Sequence, residues 1–583
     1  SLYHEEDETF TNFSYKPTIK GGISSSMINC AFQDSFNVMW IGTSQAGLCK
    51  LDLTRKPFTN LEYDAYDDQS LPSNLVNYIL EDKKGYLWVA TYNSPLCRST
   101  QVVNGSNISE LTFHRFSSWF NSFHDKTILS MLEDKHGNIW LGYDESVVVY
   151  NPGRDVFSQI TFESDNQEVP IVDVRKIVAI DEEHIMVTGS CILVLQNPWP
   201  YLGSEREIQM PVHIHRPLEE MQYVSDVVIE DLSHIWVGYY DAGLSMFSLE
   251  KETLLRKKHF EYLEHDENSI SSNAVFSMVK DRDGRFWVGT FGGGLNLMTE
   301  LPEQGGTGFD RLLDRVGLID NAVYGLIEEN DSIMWCATDM GITRLNTRSF
   351  ESTHFNMHDG LPNNNFRFNA YHKGRSGLYY FGGLNGLTAF SPDQITVNLT
   401  PPRVRLTELI INNTPVRAGE PVNKRIKIHE HISEVSDLVL TREDRTVSFE
   451  STVYHTSIPE KNSLSYMLEG FDKTWINVDQ GRFSPTDTNL KPGEYIFRIR
   501  GYNCDGIISE EEATLKLTML APWFARTSSR IVFLLIILTA ITGISLYVVK
   551  VKNLQNKLHF EKIDKERIKD VNQSKLRFFT NIS

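Results

Sequence analysis

Short apolar runs, each ended by a turn signal, follow one another at a regular spacing through the first two thirds of the chain. An aromatic residue occupies the same place in most of these units, in stretches such as "GYLWVAT", "GNIWLGY" and "GRFWVGT". The repeated position holds, at separations of 45 to 52 residues, Trp40, Trp88, Trp140, Met186, Trp236, Trp287, Trp335 and Tyr380. A repeat of about 40–50 residues built from β-rich runs predicts the four-stranded blades of a β-propeller.

The turns between the apolar runs share a common chemistry. Asp82 to Gly85, Asp134 to Gly137 and Asp281 to Gly284 all read Asp-x-x-Gly. An aspartate that accepts hydrogen bonds from its own turn, followed by a glycine that tolerates positive φ, reverses a strand in four residues. We therefore predict β-hairpins and assign these carboxylates to the turns. Gly292 to Gly294 is also predicted to be a turn, because neither Lys-Ser/Thr nor a helical pattern follows it, as a phosphate loop requires.

The repeat carries a longer motif. Asn273 to Leu295, and more weakly Asn74 to Leu96, resemble the regulator-propeller repeat found in the periplasmic sensor region of hybrid two-component system proteins of gut Bacteroidetes. The resemblance implies two seven-bladed propellers in tandem. Counting seven repeats back from Tyr380 predicts one propeller over residues 61–397, with residues 1–60 as the last blade of a preceding propeller. A single eight-bladed ring is the less favoured alternative.

A second β-rich region follows the propeller. Runs such as "VRLTELIINN" and "GEYIFRIRGYN" alternate with turn clusters between Pro401-Pro402 and Leu520. Their number and spacing predict an immunoglobulin-like β-sandwich, which we place at 403–522. The region resembles the triple-Tyr domain of the same family through Tyr466, Trp475, Tyr495 and Tyr502, and we interpret all four as core packing.

The chain then becomes strongly apolar. Residues 531–549 carry no charge, and 19 residues at 1.5 Å each are enough for a helix to cross a hydrocarbon layer of about 30 Å. Lysines are concentrated after this stretch, whereas Arg526 and Arg530 stand before it. The positive-inside rule therefore predicts that the propeller lies outside the cytoplasm, and the resemblance implies the periplasm and the inner membrane.

Residues 550–583 contain neither Pro nor Gly and are predicted to form a cytoplasmic helix. Val551, Leu554, Leu558, Ile568 and Phe579 form a broken heptad pattern, consistent with a parallel homodimer. A solvated juxtamembrane helix fits these residues almost as well. The predicted fold is thus all-β, a seven-bladed β-propeller followed by an immunoglobulin-like β-sandwich, and then one transmembrane helix and a cytoplasmic helix.

Charge and cysteine content exclude several functions. A formal net charge of −20 argues against nucleic acid as a partner of this segment, because phosphate binding depends on Lys and Arg. The six cysteines have no short spacing, so neither a zinc site nor a disulfide framework is predicted. We therefore expect no metal and no cofactor in these 583 residues.

The last residues, "QSKLRFFTNIS", resemble the start of the dimerisation and phosphoacceptor domain of histidine kinases. The resemblance implies that the phosphoacceptor His comes just after Ser583, and that ATP and Mg are used by a kinase domain beyond it. Residues 1–583 are therefore expected to be inactive alone, with no catalytic residue. The resemblance also implies receiver and DNA-binding regulator domains in the full-length protein and control of glycan-utilisation genes.

For the sensor itself, the resemblance implies an oligosaccharide ligand bound where two propellers meet. Sugars are held by aromatic faces and planar polar groups, so candidates should lie in loops that follow the central strands. The residues that meet this description are Tyr143, Tyr239, Tyr240, Phe291, Asn365 and Arg367. Two other functions remain open: a membrane-anchored propeller enzyme, such as a glycan lyase or hydrolase with paired carboxylates, and an interaction scaffold.

Overall fold

The computed structural model describes residues 2–4, 9–11, 15, 22–122, 127–164, 167–196, 198–199, 202, 207–215, 223–301, 306–313, 315–422, 425–479, 487–488, 490–522, 524 and 527–581. Arg526, Ser583 and most of the first 21 residues, on which some of the sequence-based predictions rest, lie outside this set. The chain divides into two compact units. Unit 1 comprises Ser1–Leu399 with Thr456–Ile458, and unit 2 comprises Thr400–His455 with Pro459–Ser583.

Unit 1 contains, within the described ranges, seven successive sheets whose four main strands are antiparallel. We number them sheet 1 to sheet 7 in chain order. Sheet 1 consists of Val76–Glu81, Leu87–Thr91, Cys97–Ser99 and Phe113–Arg115. Sheet 2 consists of Ile128–Glu133, Ile139–Tyr143, Val147–Asn151 and Val156–Ser164, extended by Gln167–Val169 and by Glu207–Pro211, which runs parallel to its neighbour. Sheet 3 consists of Lys176–Ala179, His184–Thr188, Ile192–Gln196 and His213–His215.

The remaining four sheets repeat the same order. Sheet 4 consists of Val224–Asp231, His234–Tyr239, Leu244–Glu250 and Thr253–Phe260. Sheet 5 consists of Val275–Lys280, Phe286–Thr290, Gly294–Leu301 and Gly306–Arg311. Sheet 6 consists of Gly325–Asn330, Ile333–Thr338, Gly341–Asn346 and Ser352–Phe355. Sheet 7 consists of Phe366–Lys373, Tyr379–Gly383, Gly386–Phe390 and Thr59–Leu61.

The seven sheets form a closed ring. The first strand of each sheet contacts the first strand of the next, and the first strand of sheet 7 returns to that of sheet 1. Sheet 7 is completed from the other end of the ring, because its outermost strand, Thr59–Leu61, precedes sheet 1 in the chain. Short helical segments lie on the connections, at Ile108–Glu110, Ser117–Ser122, Met357–Asp359 and Pro392–Gln394.

A further sheet around Trp40 precedes the ring. Ile28–Gln33, Val38–Thr43 and Leu48–Asp52 form it, and among the described residues these strands pair only with one another. Leu2–His4 and Thr9–Thr11 form a separate two-stranded hairpin. The strand after the Trp40 sheet belongs to sheet 7, so the Trp40 sheet is not inserted between sheet 7 and sheet 1.

The repeated tryptophan and the turn aspartate are joined by a hydrogen bond. In sheet 1, Asp82 Oδ1 accepts the backbone N–H groups of Lys84 and Tyr86 at 2.9 Å each, and Oδ2 accepts Trp88 Nε1 at 2.8 Å. The same indole contact to a carboxylate six residues earlier recurs in the pairs Trp40–Asp34, Trp140–Asp134, Trp236–Glu230, Trp287–Asp281 and Trp335–Glu329. Asp134 and Asp281 likewise accept backbone N–H groups of their own turns, so the assignment of Asp82, Asp134 and Asp281 to the turns is confirmed.

The indoles also fill the space between sheets. Trp88, Trp140, Trp287 and Trp335 are fully buried, and the apolar clusters of unit 1 combine residues from adjacent sheets. Sheet 7 departs from the pattern because Tyr380 takes the position of the indole. Its hydroxyl donates to Glu81 of sheet 1 at 2.9 Å, which links the two sheets at the point of closure.

Unit 2 begins with a β-sandwich. One sheet consists of Arg403–Ile411, Thr414–Val416, Thr446–Tyr454 and Asp487–Thr488. The other consists of Asp437–Leu440, Ser463–Glu469, Ile476–Asp479, Gly493–Tyr502 and Ala513–Met519. A small hairpin, Pro421–Val422 with Arg425–Ile426, and the short helices Ile432–Glu434 and Pro459–Lys461 complete it. One apolar core contains residues of both sheets, which confirms the predicted sandwich.

The four aromatic residues of the triple-Tyr motif are not all core residues. Tyr495 belongs to the buried core and Tyr466 packs against it. Trp475 and Tyr502 instead flank Arg500, whose guanidinium carbon lies 4.0 Å from the indole centroid and 5.8 Å from the phenol centroid. The interpretation of all four as core packing was wrong for these two. Strand Gly493–Tyr502 alternates and places Arg500 and Tyr502 opposite the core-facing positions, and Trp475, which precedes strand Ile476–Asp479, packs on Arg500 there.

The end of unit 2 is a single helix, Thr527–Thr580. Its apolar part is long enough to cross a membrane and is not buried against the rest of the chain. Thr539 and Thr542 donate their hydroxyls to the carbonyls of Ile536 and Leu538 at 2.8 and 2.7 Å, so these polar groups are satisfied within the helix. The predicted transmembrane and cytoplasmic helices are thus one continuous element.

Candidate ligand site

One face of the ring gathers equivalent residues from every sheet. Because the first two strands of a sheet are antiparallel, the first strand begins on the face where the second ends. We call this face the mouth of the ring. One position, aligned by the strand pairing, is the second residue of the first strand in five sheets and the residue just before that strand in sheets 3 and 6. Around the ring this position is occupied by Asn77, Leu129, Arg175, Ser225, Phe276, Tyr324 and Arg367.

Sheet 7 extends across the mouth. Its first strand pairs Phe366 with Gly383 and then Tyr371 with Phe381, so extra residues form a bulge between these pairs. Asn369, at the centre of the bulge, has a positive φ of 62° and donates its side-chain amide to the Arg175 carbonyl at 3.4 Å. The bulge therefore contacts sheet 3 on another side of the ring.

Five aromatic rings, the aromatic cluster, surround this bulge. They are Tyr240, Phe276, Phe291, Tyr324 and Phe368. Phe276 stacks on Phe368 and on Tyr324, with centroids at 5.4 and 5.6 Å, and meets Tyr240 edge-on at 4.9 Å. Phe276 is buried, whereas Tyr240 and Phe291 are 37% and 50% exposed, so the cluster has a fixed base and an accessible upper surface.

Arg175 lies against this cluster. Its guanidinium carbon is 5.3 Å from the Tyr240 centroid and 5.4 Å from the Phe368 centroid. Its Nε donates to Asp173 Oδ2 at 2.7 Å, so its charge has a carboxylate partner. Stacking and the ion pair together fix the guanidinium plane.

Arg367 has a different environment. Its Nη1 donates to Asn77 Oδ1 at 2.9 Å, and the side chain is partly buried. Burial and the nearby Arg175 guanidinium lower the pKa of Arg367. A small cavity at the mouth is lined by Arg367, Arg175, Asn77, Leu129, Phe368 and Asn369.

A buried ion pair lies in the next layer of the ring. Lys176 Nζ is 3.0 Å from Asp226 Oδ1, and Asp226 also accepts the backbone N–H groups of Val227 and Met278 at 2.9 and 2.7 Å. Burial alone would lower the pKa of Lys176, but Asp226, Tyr78 and Tyr371 raise it. The lysine is paired and its carboxylate accepts three N–H groups, so this layer is a support for the mouth.

The structure separates the six predicted site residues. Tyr240, Phe291 and Arg367 lie at the mouth. Tyr143 and Tyr239 are buried in the cores between sheets, and burial raises the pKa of Tyr239 to about 12. Asn365 donates its amide to the Asp339 carbonyl at 3.1 Å in a loop of the same face. Within the described residues no group of three His, Cys, Asp or Glu side chains is arranged to hold a metal.

Several mouth residues were not predicted from the sequence, among them Arg175, Phe276, Tyr324 and Phe368. The first three occupy the aligned position at the start of the first strand, which a repeat alignment extended upstream of the tryptophan would have found. Phe368 lies in the bulge, an insertion that the regular spacing of the repeat does not reveal.

Comparison with known protein families agrees with this architecture. Residues 22–45, 70–93, 122–145 and 269–292 match the family described as Two component regulator propeller, and residues 455–520 match the Y_Y_Y domain. The chain therefore contains four segments that match the Two component regulator propeller repeat and one segment that matches the Y_Y_Y domain. Three of the matched repeats lie in sheets 1, 2 and 5 of the ring, and the repeat at 22–45 lies in the Trp40 sheet. The Y_Y_Y match covers the later strands of the sandwich.

Relatives of this regulator propeller include signalling proteins. Histidine kinase P4 of Formosa agariphila is 26% identical over 368 residues, which are 62% of this chain and 25% of the relative. The chain therefore spans no more than about a quarter of that kinase.

Solved structures with related folds were also found. The extracellular domain of the hybrid two component system BT4673 from B. thetaiotaomicron is 19% identical, with 89% of this chain and 67% of that chain covered, at a TM-score of 0.46. That of BT3049 from the same organism is 17% identical, covers 89% and 88%, and has a TM-score of 0.32.

Proposed function

We propose that this chain is the sensing and transmitting part of a membrane-bound histidine kinase, and that its ligand binds at the mouth of the ring. The regulator propeller and Y_Y_Y domains, the kinase relative and the helix long enough to span a membrane support this function. The ring would lie in the periplasm, and the helix would cross the inner membrane once. The ligand would be an oligosaccharide from a complex glycan.

The observation that carries the ligand site is the aromatic cluster with its two arginines. Exposed faces of Tyr240 and Phe291 stand above the buried Phe276, and Arg175 is stacked in place beside them. Sugar rings present C–H faces to aromatic side chains and hydroxyls to planar polar groups. A preformed surface of this kind costs little to order when the ligand binds.

Several features of the whole protein belong to the same proposal. Two copies would pair through the helix as a homodimer, and ligand binding would shift the balance between two arrangements of that pair. The phosphoacceptor His, the domain that uses ATP and Mg, and receiver and DNA-binding domains would follow Ser583. Glycan-utilisation genes would be the output. The sequence-based division is a preceding-propeller remnant at 1–60, a seven-bladed propeller at 61–397 and a sandwich at 403–522. We propose this division with the first boundary moved to just before Thr59, because Thr59–Leu61 is the outermost strand of sheet 7.

Titration of the full 583-residue chain in detergent with a panel of neutral and acidic oligosaccharides tests the ligand site. A ligand that binds at the mouth should lose about twofold to tenfold in affinity with Tyr240→Ala or Phe291→Ala, as aromatic contacts of about 0.5–1.5 kcal/mol are removed. Phe471→Ala, an exposed aromatic in unit 2, is the matched control and should bind normally.

Two results would contradict this function. Equal affinity for both mouth variants and the control would place the ligand elsewhere. Release of shorter sugars during the titration would favour the enzyme instead of the sensor.

A further inference from the structure

Among the residues that the structure describes, Arg367 has no carboxylate partner. Its guanidinium donates to the neutral amide of Asn77, whose own amide nitrogen donates to the Ile128 carbonyl at 3.3 Å. Besides burial, the groups that most affect the pKa of Arg367 are Tyr240, Arg175 and Tyr92. None of these three groups is a carboxylate. Arg175, by contrast, has Asp173 at 2.7 Å.

The same cavity is lined by a second residue, Asn369, whose side-chain oxygen accepts no hydrogen bond from the described residues. Asn369 is 3% exposed, and its Oδ1 has no hydrogen-bond partner among the described residues. One N–H of its amide donates to the Arg175 carbonyl, and Oδ1 is the acceptor that a ligand donor would satisfy. A buried acceptor without a donor and a partly buried guanidinium without an anion are each costly, and both costs are removed by a ligand that supplies the missing groups.

We propose that the ligand of the mouth is an acidic sugar. Its anionic group, a carboxylate or a sulfate ester, pairs with Arg367, and a hydroxyl of the same sugar donates to Asn369 Oδ1. Its ring lies on the exposed part of the aromatic cluster, near Tyr240 and Phe291. This assignment rests on the proposed function and narrows its ligand class.

Arginine suits this role because its planar fork can offer two parallel N–H groups to a carboxylate or sulfate. One N–H is already used by Asn77, which fixes the plane of the guanidinium before the ligand arrives. The site therefore selects for charge at a defined position on the sugar and should bind a neutral sugar weakly.

Three disaccharides that differ only at one C6 test the proposal: a uronate, a 6-sulfate and the neutral hexose. Each is titrated against the full chain by calorimetry. At least one anionic disaccharide should bind at least about tenfold more tightly than the neutral one, as expected for a charge-assisted hydrogen bond. The uronate and sulfate arms distinguish the two anionic groups.

Variants locate the effect. Arg367→Gln should abolish the preference for the anionic disaccharide, whereas Arg367→Lys should keep part of it and shows that the mouth still folds. Arg154→Gln, an exposed arginine in the outer hairpin of sheet 2, should leave the preference unchanged. Raising the salt concentration should weaken binding of the anionic disaccharides only while Arg367 is present.

The outcomes are distinct. If neutral and anionic disaccharides bind equally, or if Arg367→Gln keeps the preference, the acidic-sugar inference is overturned while the proposed sensor function stands. If the neutral oligosaccharides of the panel bind and none of the three disaccharides binds, the acidic-sugar inference is overturned and the proposed sensor function stands. If nothing in the panel binds, both fail.

Discussion

The indole N–H of each repeat tryptophan donates to a carboxylate six residues earlier, and this contact explains why both residues recur together. Asp82 links three donors, two in its own turn and one on Trp88, which is fully buried. The carboxylate thus holds the hairpin closed and satisfies the indole in the space between sheets. Local turn chemistry and long-range packing depend on the same side chain.

Asp82→Ala should destabilise the ring by about 1–3 kcal/mol, because it leaves the buried Trp88 N–H without an acceptor. Urea denaturation followed by tryptophan fluorescence measures the change in the free energy of unfolding. Asp67→Ala is the matched control, since Asp67 is exposed and its carboxylate accepts the backbone N–H of Gln69 in a surface loop. We expect the control to change stability by less than about 0.5 kcal/mol; equal effects would argue against a role for the indole contact.

Single side chains also show where sequence reasoning reached its limit. Tyr239 and Tyr240 are adjacent and chemically identical, yet the first is fully buried between sheets and the second is at the mouth. Successive residues of a strand point to opposite faces, so an error of one position exchanges core and surface. The aromatic content of the loop was therefore predictable, but the choice of tyrosine depended on a strand end that the sequence does not mark.

At the scale of strands and sheets, the hairpins were predictable because Asp-x-x-Gly and the tryptophan spacing are local signals. The bulge of sheet 7 was not, because it appears only when Phe366 and Tyr371 are paired with sheet residues. The mouth depends on that bulge, since Phe368 and Asn369 reach sheets 3, 4 and 5 from it. Phe368 and Asn369, which lie in this irregular strand, therefore could not be found from the repeat spacing.

The first strand of sheet 6 must also let sheet 7 approach closely. A Cβ added at Gly325 would lie 2.4 Å from a ring carbon of Tyr371. Gly325→Ala should therefore destabilise the ring by about 1–3 kcal/mol, the usual cost of overpacking, and should lower its melting temperature. Differential scanning calorimetry provides the measurement.

Gly306→Ala in sheet 5 is the control for Gly325→Ala, because a Cβ there meets no atom within 4 Å. It should leave the melting temperature nearly unchanged. A Gly325→Ala protein as stable as this control would show that Tyr371 can move aside without cost.

For the whole molecule, the continuity of the helix Thr527–Thr580 is the important feature. A rigid element that begins before the apolar stretch and ends 31 residues after Val549 can carry a rotation or shift from one end to the other. Leu554, Leu558 and Ile568 are about 60% exposed on it, as expected for residues that a second copy would cover. Continuity was not predicted from the sequence, which was divided at Val549 where the composition changes.

Cysteine crosslinking in membranes tests the proposed homodimer. Leu554→Cys and Leu558→Cys, four residues apart on one helix face, should crosslink efficiently between copies. Asn556→Cys, two residues from each and on another face, is the control and should crosslink poorly. Equal crosslinking at all three positions would contradict a specific parallel pair. A ligand that changes the ratio of the crosslinking yields at positions 554 and 558 would support transmission along the helix.

The strand Thr59–Leu61 has a consequence for how the protein is made. It leaves the ribosome before any of sheets 1 to 7 is complete, yet its partners are Leu387, Thr388 and Ala389. Pairs separated by more than 300 residues form late, because the intervening chain must be ordered first. Sheets 1 to 6 can assemble during synthesis as an open arc, but the circle is joined only after Phe390 has been added. Until closure the Thr59–Leu61 strand is unpaired, and its partner strand Gly386–Phe390 is unpaired from its own synthesis onward. The interval before closure is therefore the time when the nascent chain is most exposed to aggregation.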